Sequence, residues 1–140
     1  MTPTTTGSTL TPATGIALFE RWTALWNGDF REPESFLAPG FRIRFGNSPD
    51  SAEATDMIHG PRGIVEFIAA FRATRPDLRY AVDGTPLVDT EQGSVASRWY
   101  VSGEDVDSAT REKSGIDLFE VVEGRIAAVW SVTGLRRFAP

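Results

Sequence analysis

The stretch from Ser114 to Gly134, SGIDLFEVVEGRIAAVWSVTG, limits the chain more than any other. Two β-rich runs, Ile116 to Val122 and Ile126 to Thr133, flank a tight turn at Glu123-Gly124-Arg125. β-Branched and aromatic residues dominate both runs, and Gly124 supplies the positive φ that such a turn needs. One residue breaks the pattern. Asp117 lies between Ile116 and Leu118, and strand alternation puts it on one face with Phe119 and Val121. If that face is the interior, a carboxyl group sits in an apolar cavity. Burial without a cationic partner raises its pKa, and a carboxylic acid kept neutral near pH 7 can donate a hydrogen bond or shuttle a proton. A strand aspartate can instead be paired with arginine or face solvent.

The rest of the chain supplies the walls. Met1 to Pro12 is Thr/Pro/Ser/Gly-rich and reads as a disordered tail of residues 1–12, ahead of a single domain over 13–136. Thr14 to Gly28 is predicted to be a helix capped by Thr14. Ile16, Leu18, Phe19, Trp22, Leu25 and Trp26 recur at helical spacing. Trp22 could bring its indole N–H to a cavity. Pro33 to Ala38 is predicted to be a short second helix, and Phe41 to Phe45 a half-buried strand. Gly46 to Met57 is polar, a candidate rim or lid. A third helix is expected from about Arg62 to Thr74, with His59 hydrogen-bonding locally near its start. Strands follow at Leu78 to Asp83 and Pro86 to Thr90, interrupted near Gly84, then at Ser94 to Ser102. With the hairpin they form a meander. Helices segregated to one side of a curved antiparallel sheet make an α+β domain with a hollow beneath the sheet.

Composition excludes several function classes. Apolar residues make up 41% and charged residues 24%, which is ordinary for a globular chain. A net charge of −5 without a basic stripe argues against nucleic acid. There is no cysteine, so no thiolate chemistry, and the only histidine, His59, has no carboxylate pair at ligand spacing. No nucleotide-binding glycine motif is present, no apolar run spans a membrane, and no leader is recognisable. The expectation is a soluble, cytoplasmic protein with no metal and no cofactor.

Three signatures carry a family resemblance. They are LWNGDF (Leu25 to Phe30), HGPRGIVEF (His59 to Phe67) and GIDLFEVVEGRIAAVW (Gly115 to Trp130). Together with the order of elements, they resemble the SnoaL-like and ketosteroid-isomerase-like branch of the nuclear-transport-factor-2-like superfamily. The resemblance implies a cone-shaped α+β fold. A curved antiparallel sheet would pack on a long N-terminal helix and two further helices around a central cavity. It also implies pairing of two copies through the open sheet face, where Arg98, Tyr100 and Trp130 would lie.

The resemblance makes Asp117 the catalytic acid/base. The isomerases' second carboxylate falls on Phe45 and their oxyanion-donating tyrosine on or beside Trp22. The cyclases' histidine falls near Asp105. Two of three expected chemical groups are therefore absent, which argues against ketosteroid isomerisation itself. Ser97, Trp99 and Val101 would point into the hollow. From the last strand, either Ser131 and Thr133 or Trp130 and Val132 would join them. The expected ligand-contacting set is Trp22, Phe45, Ser97, Trp99, Val101, Phe119 and Ser131. Such a pocket suits a small hydrophobic oxygenated molecule, a polyketide or steroid-like compound. The reaction would be an isomerisation, cyclisation or dehydration without a cofactor. A non-catalytic binding or accessory protein of the same fold is the alternative.

Overall fold

The computed structural model describes residues 10–46, 55–103 and 112–140. The first helix, α1, spans Pro12–Trp26. It begins two residues before the sequence expectation because Thr11, not Thr14, is the cap. The Thr11 hydroxyl accepts from the Thr14 N–H at 3.1 Å, and Pro12 occupies the first turn, where its missing N–H costs nothing. The apolar stripe buries Leu18, Phe19, Trp22 and Leu25. Leu10 is also part of the core, so the expected tail over 1–12 overlaps the fold at its last three residues. Residues 1–9 lie outside the described residues.

The second helix expected over Pro33 to Ala38 is only a 3-10 turn, Pro33–Ser35. The chain then extends directly into β1, Leu37–Phe45. Buried Phe36 and Leu37 need a strand to carry them into the core, and that outweighs the helix-starting proline. The other α-helix among the described residues, α2, spans Gly60–Ala73 and buries Pro61, Ile64 and Ile68. Four more strands follow: β2 Arg79–Asp89, β3 Ser94–Ser102, β4 Glu112–Val122 and β5 Arg125–Thr133.

They form one five-stranded sheet in the order β1-β5-β4-β3-β2, curved and mixed rather than wholly antiparallel. β2 to β5 are an antiparallel meander, whereas β1 runs parallel to β5 along the sheet edge. Hydrophobic alternation encodes which face a strand buries, not its direction, so β1 gave no warning. The interruption expected near Gly84 is present as a register shift between Asp83 and Leu87. Gly84 has φ +89°, and an added Cβ would lie 3.0 Å from the Arg98 guanidinium. At the β4–β5 turn both Glu123 (φ 52°) and Gly124 (φ 80°) are left-handed, the conformation that matches the strand twist.

α1 packs on β2 and β3, and α2 on β1. Between helix and sheet, Phe19 stacks on Phe119 with ring centroids 4.8 Å apart, and both rings are fully buried. Replacing Phe19 with Ala should destabilise the protein by about 3–5 kcal/mol. Urea unfolding of the variant checks this.

Candidate active site

Asp117 enters the interior through strand alternation. Gly115, Asp117 and Phe119 are buried, while Ile116, Leu118 and Glu120 are exposed. Across the sheet Asp117 pairs with Ser97 on β3 and Ser131 on β5. Asp117 is 4% exposed. Its Oδ2 accepts the indole N–H of Trp22 at 2.9 Å, and its Oδ1 accepts that of Trp99, also at 2.9 Å. The Ser131 hydroxyl bonds to it as well.

Gly115 explains how Trp99 reaches its partner. The two residues are opposite in the β3–β4 register, and a Cβ at position 115 would lie 2.2 Å from Cζ2 of Trp99. The missing side chain leaves the slot that the indole fills. Trp22 arrives from the buried stripe of α1, held by Phe41 and Phe119.

The electrostatics are those of a carboxyl without a counter-charge among the described lining residues. Burial pushes the Asp117 carboxyl upward, and the hydrogen bonds from Ser131, Trp22 and Trp99 oppose it without cancelling it. Indoles can only donate. Of these three partners, only Ser131 can also turn its hydroxyl to accept a hydrogen bond from the neutral acid.

Asp117 opens onto a cavity of about 310 Å³. α1 contributes Phe19, Trp22, Thr23 and Trp26, α2 contributes Phe67 and Phe71, and the sheet contributes Phe45, Tyr80, Trp99, Ser131 and Thr133. Trp26 is the centre of the aromatic wall, with Phe45, Phe67, Phe71 and Tyr80 at centroid distances of 5.5–6.3 Å. Burial pushes the Tyr80 phenol upward, so it remains a protonated donor.

The structure therefore brings Trp22, Phe45, Trp99 and Ser131 together around Asp117. It settles the open choice on β5 in favour of Ser131 and Thr133. Trp130 and Val132 are 46% and 53% exposed on the opposite face. Three expected contacts are not part of the lining. Ser97 turns its hydroxyl to the Arg98 carbonyl at 2.9 Å. The Phe119 ring is occupied by its stack on Phe19. Val101 is buried beside Tyr80 and Trp99, whose longer side chains reach the cavity where it does not. His59 stands at the α2 N-cap but its side chain makes no capping hydrogen bond, and it is exposed. Asp105 lies outside the described residues, as does most of the expected lid, although Thr55 at its end lines the cavity.

Sequence reasoning missed Tyr80, Phe67 and Phe71. The last two were legible as an apolar helix stripe, but periodicity does not separate core from cavity wall.

Comparison with known proteins agrees with this architecture. The SnoaL-like domain model matches residues 17–129, and the chain belongs to the SnoaL-like family. No curated protein matches it. Several solved structures share the fold. A candidate isomerase of the SnoaL-like family from Agrobacterium tumefaciens is 21% identical with TM-score 0.69, over 88% of this chain and 99% of that one. A candidate SnoaL-like polyketide cyclase from Jannaschia sp. is 16% identical with TM-score 0.67, over 91% of each chain. A protein of cystatin-like fold from Methylobium petroleophilum is 16% identical with TM-score 0.74, over 94% of this chain and 82% of that one.

A pH-dependent stability follows from the raised carboxyl. The folded state keeps a proton that the unfolded chain releases above its ordinary value of 3.8. Stability should therefore fall as pH rises from that value through the folded pKa. Trp99→Phe removes one donor, so the decline should extend to higher pH than in wild type. Urea midpoints between pH 4 and 8 check this, and identical profiles would contradict it.

Proposed function

We propose that the chain is a cofactor-independent acid/base enzyme of the isomerase, cyclase or dehydratase type. Its substrate would be a small, hydrophobic, oxygenated molecule held in the aromatic cavity. One observation carries the reading: among the described residues lining that cavity, Asp117 is the only ionisable carboxyl, and it is buried with no cationic partner there.

A single group of this kind can move a proton and return it. As carboxylate, Asp117 removes a proton from a carbon beside a carbonyl and delivers it to another carbon of the same substrate. As acid, it protonates a leaving hydroxyl. Tyr80, held in its protonated form by burial, is placed to orient a substrate oxygen within the same cavity. With Phe45 rather than a second carboxylate on β1, no separate base is available among the described residues. The substrate must therefore be intrinsically reactive, since one positioned acid/base contributes about 10²- to 10⁴-fold.

The second reading, a binding protein without chemistry, draws on the same lack of a second catalytic group. Turnover separates the two. Asp117→Asn should lower turnover by about 10²- to 10⁴-fold. An Asn amide satisfies only one of the two indoles, so Trp99→Phe combined with Asp117→Asn is the companion variant, with Trp99→Phe alone as the control. Unchanged turnover in the folded variants would leave only the binding reading.

We further propose that two copies pair through the outer sheet face. Ile116, Leu118, Trp130 and Val132 are exposed there as adjacent cross-strand pairs, Ile116 with Val132 and Leu118 with Trp130. Contiguous apolar surface of this kind favours association. Sedimentation should show a dimer for wild type and a monomer for Trp130→Glu; a wild-type monomer at micromolar concentration would contradict the pairing.

A further inference from the structure

We propose that the cavity also binds protonated hydrophobic amines, with the ammonium paired to Asp117 and lying against the aromatic wall. This goes beyond the enzymatic reading and does not depend on any turnover.

Donors surround Asp117. Both oxygens accept from indoles that cannot reverse the bond, at 2.9 Å each. The Ser131 hydroxyl adds a third bond. Three neutral donors converging on one carboxyl favour its ionised form, yet no cationic side chain among the described lining residues completes it. Among the described residues, none of the side chains lining the cavity is positively charged. A buried carboxylate with no partner is costly, and the cost is relieved by whatever brings a positive charge into the same enclosure.

The rest of the wall suits such a charge. Trp26, Phe45, Phe67, Phe71 and Tyr80 form a continuous set of π-faces and edges. Aromatic faces attract ammonium groups, most strongly when water is excluded. Where a neutral ligand finds only weak contacts, an ammonium finds both the rings and an ion pair. A volume of about 310 Å³ limits the ligand to a small molecule.

The pH dependence is opposite in sign for the two ligand classes. An alkylammonium stays charged well above neutral pH, with a pKa of about 10.4. Amine binding needs Asp117 ionised, so its affinity rises with pH as the carboxyl loses its proton. A neutral ligand that accepts from the carboxylic acid follows the reverse course. Few other groups could confuse this signal. Facing Asp117 from α1, β3 and β5 are Trp22, Trp99 and Ser131, which do not titrate. From β2 comes Tyr80, whose phenol stays protonated and is acted on by Arg72 and Arg75.

Phenethylamine and phenethyl alcohol are matched probes, nearly equal in shape and differing in charge. Calorimetric titration of the whole chain at pH 8 should give the amine at least about tenfold tighter binding, a difference of 1.4 kcal/mol. That advantage should shrink as pH is lowered toward 5, and amine binding should release protons in this range. Asp117→Asn should abolish the preference for the amine while the alcohol still binds. If that variant does not fold, the wild-type pH dependence and proton release decide alone. Equal affinities at pH 8, an amine preference that survives Asp117→Asn, or no amine binding would overturn the proposal. Alcohol binding without amine binding would overturn this inference and leave the acid/base reading standing. Amine binding in a protein whose turnover ignores Asp117→Asn would do the reverse.

Discussion

The hydrogen bonds from Trp22, Trp99 and Ser131 to a carboxyl buried at Asp117 are the constraint around which the structure is arranged. A lone acid in an apolar interior is tolerated only if its oxygens are occupied. Here the occupants come from three separate elements: the α1 helix and the two strands that flank β4. Each bond therefore ties the site to the packing of the whole domain. Removing α1 from the sheet would expose the acid and strip one of its donors together.

The same arrangement explains why the interior is hollow rather than filled. Phe19 and Phe119 close the core on one side by stacking. On the other side, Trp26 gathers four rings at edge and tilted angles that hold α1, α2 and the sheet apart. Aromatic pairs prefer such offset and edge-to-face contacts, so these rings line the space between the helices and the sheet. The cavity therefore belongs to the packing of the aromatic residues, and among the described residues Asp117 is its one acidic side chain. Family membership supplies the architecture, but this fold hosts many activities, so the chemistry has to be argued from the site.

Much of this was legible in the chain itself. Alternation through Ile116, Asp117 and Leu118 put the acid on one face with Phe119 and Val121, and helical spacing put Trp22 on the apolar stripe of its helix. Other features were not legible. The direction of β1 is invisible to alternation, and Pro33 suggested a helix where burial of Phe36 and Leu37 demanded a strand. The family resemblance pointed Ser97 and Val101 toward the hollow, and both are buried, but neither resemblance nor alternation says which buried residues reach a void. That depends on side-chain length and on neighbours from distant elements. Tyr80 went unnoticed for the same reason: its strand is interrupted, and its face follows from register rather than pattern. Gly115 is a glycine whose purpose appears only when Trp99 is seen lying across it.

Burial of the Asp117 carboxyl outweighs the hydrogen bonds it accepts, so it holds its proton more tightly than an ordinary aspartate. Carbon-13 NMR of the wild-type side-chain carboxyls, titrated from acid to neutral pH, measures this directly. One aspartate resonance, assigned to residue 117, should show a midpoint above the usual aspartate range. A midpoint at or below that range would show that the charged form is already satisfied, and would contradict the dominance of burial.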